Sequence, residues 1–216
     1  INVRRFFPAG YTLDNYANIM FHPDSVAQFP RWFVNTFVVA CFTCVISTCF
    51  VLMVAYALSC CRFKGRRLLQ NLSVIVNLFP GVLAMIAVYF VLKYLNLTNS
   101  YAGLIMVYAG SSGLGYLICK GFFDTISVSL RESAKLEGAS ELSIFVKIVI
   151  PLSKPIVVYT VINAFLNPWM DFVMAKLMIR SKNPADWTVA MGLYNLYDIQ
   201  VPFFQTLKET ISLDNQ

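Results

Sequence analysis

A polytopic bundle of membrane-spanning α-helices, all-α, is the fold class this sequence predicts, and three observations carry it. Hydrophobic residues fill 58% of the 216 positions and charged ones only 13%, with a mean hydropathy of +0.64, a composition that soluble domains do not have. The apolar residues gather in runs of about 20 or more, the length that crosses a bilayer core. The cations lie mostly between those runs, where the formal net charge of +6 reads as the bias of cytoplasmic loops. No basic stripe with interleaved aromatics is present, so nucleic acid is excluded as a partner.

Residues 1–30 read as an extracytoplasmic segment, polar and aromatic, broken by Pro8, Gly10, Pro23 and Pro30. The chain does not begin with Met and shows no charged-then-apolar leader, so the expectation is a stretch from within a longer protein. Residues 12–21, TLDNYANIMF, form a short amphipathic helix in this reading, capped by Thr12, with Leu13, Tyr16, Ile19 and Met20 on a face at the membrane surface.

Residues 31–200 form the transmembrane domain. Its first span covers about 32–60, entered through an interfacial Trp32 and followed at once by Arg62, Lys64, Arg66 and Arg67, which mark the cytoplasmic side. The second covers about 68–92 and is interrupted by Pro80-Gly81, with Asn77 at depth; an ordinary kink and a pore-lining role both fit. The third, about 101–123, holds Gly103, Ala109, Gly110, Ser111, Ser112, Gly113 and Gly115, small residues that let helices approach closely. GSSGLG lacks the Lys-Ser/Thr and preceding strand of a phosphate loop.

The fourth span covers about 155–179 and holds Asn163, Asn167, Trp169 and Asp171. Asp171 lies about 24 Å along it at about 1.5 Å per residue. As the one acidic residue in a span it is a candidate for the translocation path, the alternative being a hydrated place near the outer interface. Residues 181–188 read as a loop, and 201–216 as an unassigned tail. Four spans put both ends outside. The proposed cytoplasmic loops hold nine cations, Arg62, Lys64, Arg66, Arg67, Lys120, Arg131, Lys135, Lys147 and Lys154, against Lys93, Arg180 and Lys182 opposite, which supports that orientation.

The six cysteines, Cys41, Cys44, Cys49, Cys60, Cys61 and Cys119, lie in or at the ends of apolar runs, where thiols behave as small buried hydrophobes. His22 is the one histidine, so no zinc or histidine-based catalytic set can form. No cofactor is implied.

Between the third and fourth spans, residues 129–151 are charged and helix-prone. Ser129-x-x-Glu132 reads as a capping box, Gly138 as a left-handed stop, and Ser140 as the cap of a second helix that carries Leu142, Phe145, Val146 and Val149 on one face and ends before Pro151. Glu132, Glu137 and Glu141 beside an anionic leaflet favour a protein partner over lipid headgroups.

The run Glu132-Ser133-Ala134-Lys135-Leu136-Glu137-Gly138-Ala139-Ser140, then Phe145, Ile148 and Pro151-Leu152-Ser153-Lys154-Pro155, closely resembles the EAA loop of permease subunits in binding-protein-dependent ABC importers. That loop has Glu-Ala-Ala, three residues, Gly-Ala and a hydrophobic helix ending at Leu-Pro; Ser133, Glu137 and Ile150 are mild departures. YTLDNYANIM, PRWFVNTF, KGFFDTI, NPWMDF and WTVAMGL extend the resemblance to the second permease of maltose and oligosaccharide importers, over nearly the whole chain to about Leu196. The tail VPFFQTLKETISLDNQ does not share it.

The resemblance implies a non-catalytic subunit of the bacterial cytoplasmic membrane, here four spans of a six-span permease. It would pair with a second permease, cytoplasmic ATPase subunits that carry the nucleotide chemistry, and an extracytoplasmic sugar-binding protein. Glu132, Ser133, Ala134, Leu136, Glu137, Gly138, Ala139 and Pro151 would form the ATPase-coupling loop, with Phe145 and Ile148 filling the apolar cleft of the ATPase. Asn77, Pro80, Asn163, Asn167, Trp169 and Asp171 are the candidates for the path. The alternative is a self-contained secondary transporter using Asp171 as an ion or proton site; a membrane enzyme fits poorly, since no catalytic set converges.

Overall fold

The computed structural model describes residues 28–78, 81–111 and 115–196, together with Leu13 and Met20. The amphipathic helix expected at 12–21, Pro80, and the tail from 197 fall wholly or largely outside the described residues. Those described form helices joined by short turns, without strands.

The longest helix, α1 (Phe29–Cys60), has 32 residues, about 48 Å at 1.5 Å per residue, and organises the rest. Its buried face is small or polar over much of its length: Thr36, Ala40, Thr43, Ser47, Ala55 and Ser59. The opposite face exposes Val34, Val38, Phe42 and Val45. A water-soluble helix would place these residues the other way round; small residues inside and large apolar ones outside suit a helix solvated by lipid.

The second apolar run divides into α2 (Arg66–Asn77) and α3 (Gly81–Tyr94), and no α2 residue is buried. The third, expected as one helix, is α4 (Tyr101–Gly110) and α5 (Gly115–Phe123), inclined at 44°. The charged stretch gives α6 (Val128–Leu136) and α7 (Glu141–Leu152). The fourth run gives α8 (Lys154–Met170) and α9 (Val173–Met178), so the helix expected to reach 179 stops at Asp171. A single turn at Pro184–Asp186 and helix α10 (189–196) follow. Among the described residues α1 alone is an unbroken helix long and apolar enough to cross a bilayer. The pairs α4–α5 and α7–α8, the latter bent by 89°, reach that length only together.

Helix α1 packs along α8, α5 and α4, and two core clusters form near its ends. Val51, Leu52, Ala55 and Tyr56 meet Tyr116, Cys119, Phe123, Ile144, Val149 and Ile156 at one end. Val39 joins Leu92, Leu104, Tyr108, Met174, Met178 and Met191 at the other. Of the cysteines only Cys119 is fully buried, and Cys49 is exposed on the outward face of α1.

Trp32, expected at the lipid interface, is instead 0% exposed. Its Nε1 donates to Pro184 O at 2.6 Å and its ring lies 6.0 Å from that of Trp187. Beside it Asn35 Nδ2 donates to Ala185 O at 2.7 Å, and Thr36 Oγ1 accepts from Val189 N at 2.9 Å. The loop read at 181–188 is therefore an ordered strap across the start of α1. Its closeness depends on Gly192, where a Cβ would sit 2.3 Å from Trp32 Cε3. Gly192→Ala should lower stability by about 1–3 kcal/mol through overpacking, read as a lower Tm of the purified chain. Gly110→Ala, with nothing within 4 Å of the added carbon, should leave the Tm unchanged; equal effects would refute the close packing.

Candidate functional site

The exposed α6–α7 hairpin is built by local backbone chemistry. Ser127, not Ser129, occupies the cap position of α6, and its hydroxyl lies 2.7 Å from that of Ser129 instead of bonding the backbone. The expected capping box is thus absent, because the helix starts two residues earlier and draws Ser129 into its first turn. At the far end Gly138 has φ +83°. Ala139 N donates to Ala134 O and Gly138 N to Lys135 O, both at 3.0 Å, the paired bonds that close a helix through a left-handed glycine. Ser140 then caps α7, its side chain accepting from Ser143 N at 3.2 Å.

Helix α7 does not stop before Pro151. Its middle, Phe145–Val149, widens to a π-helical turn, and Ile150 N reaches back to Phe145 O. A wider turn relieves the clash that a proline ring makes with the preceding turn, so the helix runs on to Leu152. The inward face also differs from expectation. Ile144 and Val149 are fully buried, Phe145 and Ile148 pack beside them against this chain's own core, and Leu142 and Val146 face outward. The outward surface is completed by Glu132, Ser133, Leu136, Glu137, Gly138 and Pro151, with Leu136 90% and Leu142 71% exposed. Ala134 and Ala139 sit half-buried where α6 and α7 meet the core.

Glu141 fastens this hairpin to α1. Tyr56 Oη donates to Glu141 Oε2 at 2.7 Å, the Tyr56 ring lies 4.8 Å from that of Phe145, and Lys135 forms an ion pair with Glu141. Hydrogen bonds from Lys135 and then Tyr56 hold the Glu141 carboxyl below the ordinary glutamate range. A second tie lies alongside: Ser59 Oγ donates to Asp124 Oδ1 at 2.6 Å, and Lys120 Nζ reaches Oδ2 at 2.5 Å. Burial pushes the Asp124 carboxyl up, but the bonds from Lys120 and Ser59 outweigh it and leave it lowered.

Between the two core clusters a polar-lined cavity of about 490 Å³ opens against α1, α4 and α8. Thr43 and Ser47 of α1 face Tyr108 and Ser111, with Asn163 and Asn167 across from them. Asn163 donates to Tyr159 O at 2.9 Å, and Thr43 Oγ1 is buried without a hydrogen-bond partner among the described residues. Asn77 and Trp169 are not in its lining, and Asp171 adjoins it through Tyr108, whose Oη donates to Asp171 O at 3.5 Å. Asn77 bonds Ser73 O within α2 at 2.7 Å. Trp169 packs against Phe33, ring centres 5.1 Å apart. Asp171 Oδ1 accepts from Val173 N at 2.9 Å and Met174 N at 3.1 Å, so its carboxylate caps α9 and the break after Met170 follows from it.

Tyr56, Thr43 and Ser47 were not singled out from the sequence, and Glu141, read there as one of three carboxylates favouring a protein partner, is instead engaged by Tyr56 and Lys135. Thr36, Thr43 and Ser47 recur at helical spacing in an otherwise apolar run, a signal that could have marked the inner face of α1. Nothing local marks Tyr56, whose partner is 85 residues away.

Residues 60–207 match the family described as "Binding-protein-dependent transport system inner membrane component". Among curated proteins the chain is 35% identical over 190 residues to a galactooligosaccharides transport system permease protein, GanQ, of Bacillus subtilis, covering 88% of this chain and 66% of that one. It is 32% identical to the maltodextrin transport system permease protein MalD of Streptococcus pneumoniae, covering 80% and 63%. The chain thus spans just under two thirds of the length of these relatives. Its fold matches a chain in the crystal structure of a bacterial ABC transporter involved in the import of the acidic polysaccharide alginate, with TM-score 0.74 and 24% identity over 86% of this chain and 63% of the other. On the extent of the family match and these identities, the chain belongs to the inner membrane components of binding-protein-dependent transport systems.

Proposed function

We propose that this chain is a permease subunit of an ATP-driven ABC importer for a sugar or oligosaccharide, in which a partner ATPase does the nucleotide chemistry. Relatives named for galactooligosaccharides and maltodextrin support the substrate class. The observation that carries the mechanism is the exposed α6–α7 hairpin, tied to α1 through Glu141 and continuous with α8. In this reading α1, α2–α3, α4–α5 and α8–α9 are four crossing segments, and the hairpin lies in the cytoplasm among most of the loop cations. Closure of the ATPase shifts the hairpin and carries α1 and α8 with it, switching access to the cavity between them. A second permease completes the pathway, and an extracytoplasmic binding protein delivers the sugar.

The outward surface makes the ATPase contact: Glu132, Ser133, Leu136, Glu137, Gly138 and Leu142, with Ala134, Ala139 and Pro151 shaping it. Phe145 and Ile148 support it from behind, a different assignment from cleft-filling. In the path, Asn163 and Asn167 offer hydrogen bonds to sugar hydroxyls. The secondary-transporter alternative has no support, since the family is that of binding-protein-dependent systems and Asp171 serves as a helix cap.

Gly138 tests the coupling. At φ +83° with nothing within 4 Å of a Cβ, Gly138→Val introduces backbone strain of about 1–2 kcal/mol without a clash. It should lower sugar uptake per ATP hydrolysed by about tenfold in proteoliposomes holding the complete transporter, with membrane insertion intact. Undiminished uptake would remove the hairpin from coupling.

Glu141 gives a pH signature. Its pKa in the folded chain lies below the ordinary 4.5, so its stabilisation is fully present above that value and is lost as pH falls through the lowered one. Hydrogen-exchange protection factors at residues 134–141 should therefore hold from pH 7 to 5 and fall only in more acid solution. In Tyr56→Phe that onset should move to higher pH, and an unmoved onset would show that the hydroxyl does not hold the carboxylate.

For Asp171, Asn keeps a capping oxygen. Asp171→Asn should therefore transport at the wild-type rate, whereas Asp171→Ala should lose about 1 kcal/mol of stability. Abolished flux in the Asn variant would place the charge itself in the pathway.

A further inference from the structure

A cavity of about 550 Å³ lies where α1 ends, between the basic turn that follows it and one face of α6. Val128, Arg131, Glu132 and Lys135 line it from α6 at helical spacing, and Arg62 and Arg66 line it from the turn. Of its four cations, Lys135 is committed to Glu141. The nearby Asp124, whose field reaches Arg66, is held by Lys120 and Ser59. Arg62, Arg66 and Arg131 have no salt-bridge partner among the described residues, and Arg131 Nε is buried without a hydrogen-bond partner there. Glu132, exposed at the rim, is the one remaining carboxylate of the lining. Helix α6 also begins here without a side-chain cap, leaving first-turn N–H groups able to receive an anion.

Three arginines lining one cavity beside an uncapped helix start suit a phosphate group, because guanidinium donors match its oxygens in pairs. The position suits a phosphate borne by lipid: the cavity adjoins the end of a membrane-length helix, and Phe63 and Leu68 are exposed in the same basic segment. We propose that this cavity binds a phosphate group, supplied by the headgroup of an anionic phospholipid or by free phosphate.

The test offers phosphatidylglycerol and phosphatidylcholine in equal amounts to the purified full chain, and measures by mass spectrometry which lipid stays bound. Phosphatidylglycerol should be retained preferentially, and each of Arg62→Gln, Arg66→Gln and Arg131→Gln should reduce retention about fivefold. Arg131→Lys, which keeps the charge, should recover most of it. Lys64→Gln and Arg67→Gln, in the same basic run but outside the cavity lining, should have no effect. Displacement of the lipid by inorganic phosphate would assign the site to the free anion. Equal retention of both lipids without any effect of phosphate would overturn the proposal. So would equal losses in the Lys64 and Arg67 variants, or arginine variants that keep the lipid but lose a co-purifying ATPase, which would make this a protein-docking surface.

Discussion

The structure depends on how one long helix is solvated. A backbone in hydrocarbon must satisfy its own hydrogen bonds, and α1 does so without a break over 32 residues. Outside it can be as greasy as lipid, so its specificity lies on the narrow inner stripe of Thr36, Ala40, Thr43 and Ser47. Two core clusters grip that stripe near its ends and leave its polar middle facing a cavity. The same division gives the molecule stiff ends and a wettable centre.

Hydrogen bonds to distant partners fix what apolar packing leaves free. Lipid offers helices no hydrophobic reason to prefer one neighbour over another, so directional bonds and close fit decide the arrangement. Trp32, Asn35 and Thr36 hold the strap at 184–189 across one end of α1. Tyr56 and Ser59 hold Glu141 and Asp124 at the other. Both sets join residues far apart in the chain, which is how one helix comes to be connected with nearly every other element.

What was legible in the sequence was mostly what the local backbone decides. Hydropathy located the apolar runs, Gly138 announced its own left-handed turn, and Ser140 its cap. Ser129 misled because two serines stand within a residue of the start of α6, and only packing chooses between them. Pro151 misled because a widened turn absorbs it, and that turn depends on Ile144 and Val149 seating in the core. Asp171 read as part of an unbroken span, but its carboxylate accepts from backbone groups two and three residues on, where the helix breaks. The inner face of α1 was hidden for a simpler reason: in lipid the buried side is the less hydrophobic one, so apolar periodicity points outward.

The corner at Ser153 joins two helices at 89°, and its side chain is fully buried with a hydroxyl that has no hydrogen-bond partner among the described residues. Helices resist being shortened and yield at their joints. A thrust along α7 meets α8 crosswise, so it swings that rod about its foot rather than compressing it. Under the coupling proposed above, the corner would turn a short stroke of the hairpin into a sweep at the far end of α8, where Asn167 lines the cavity.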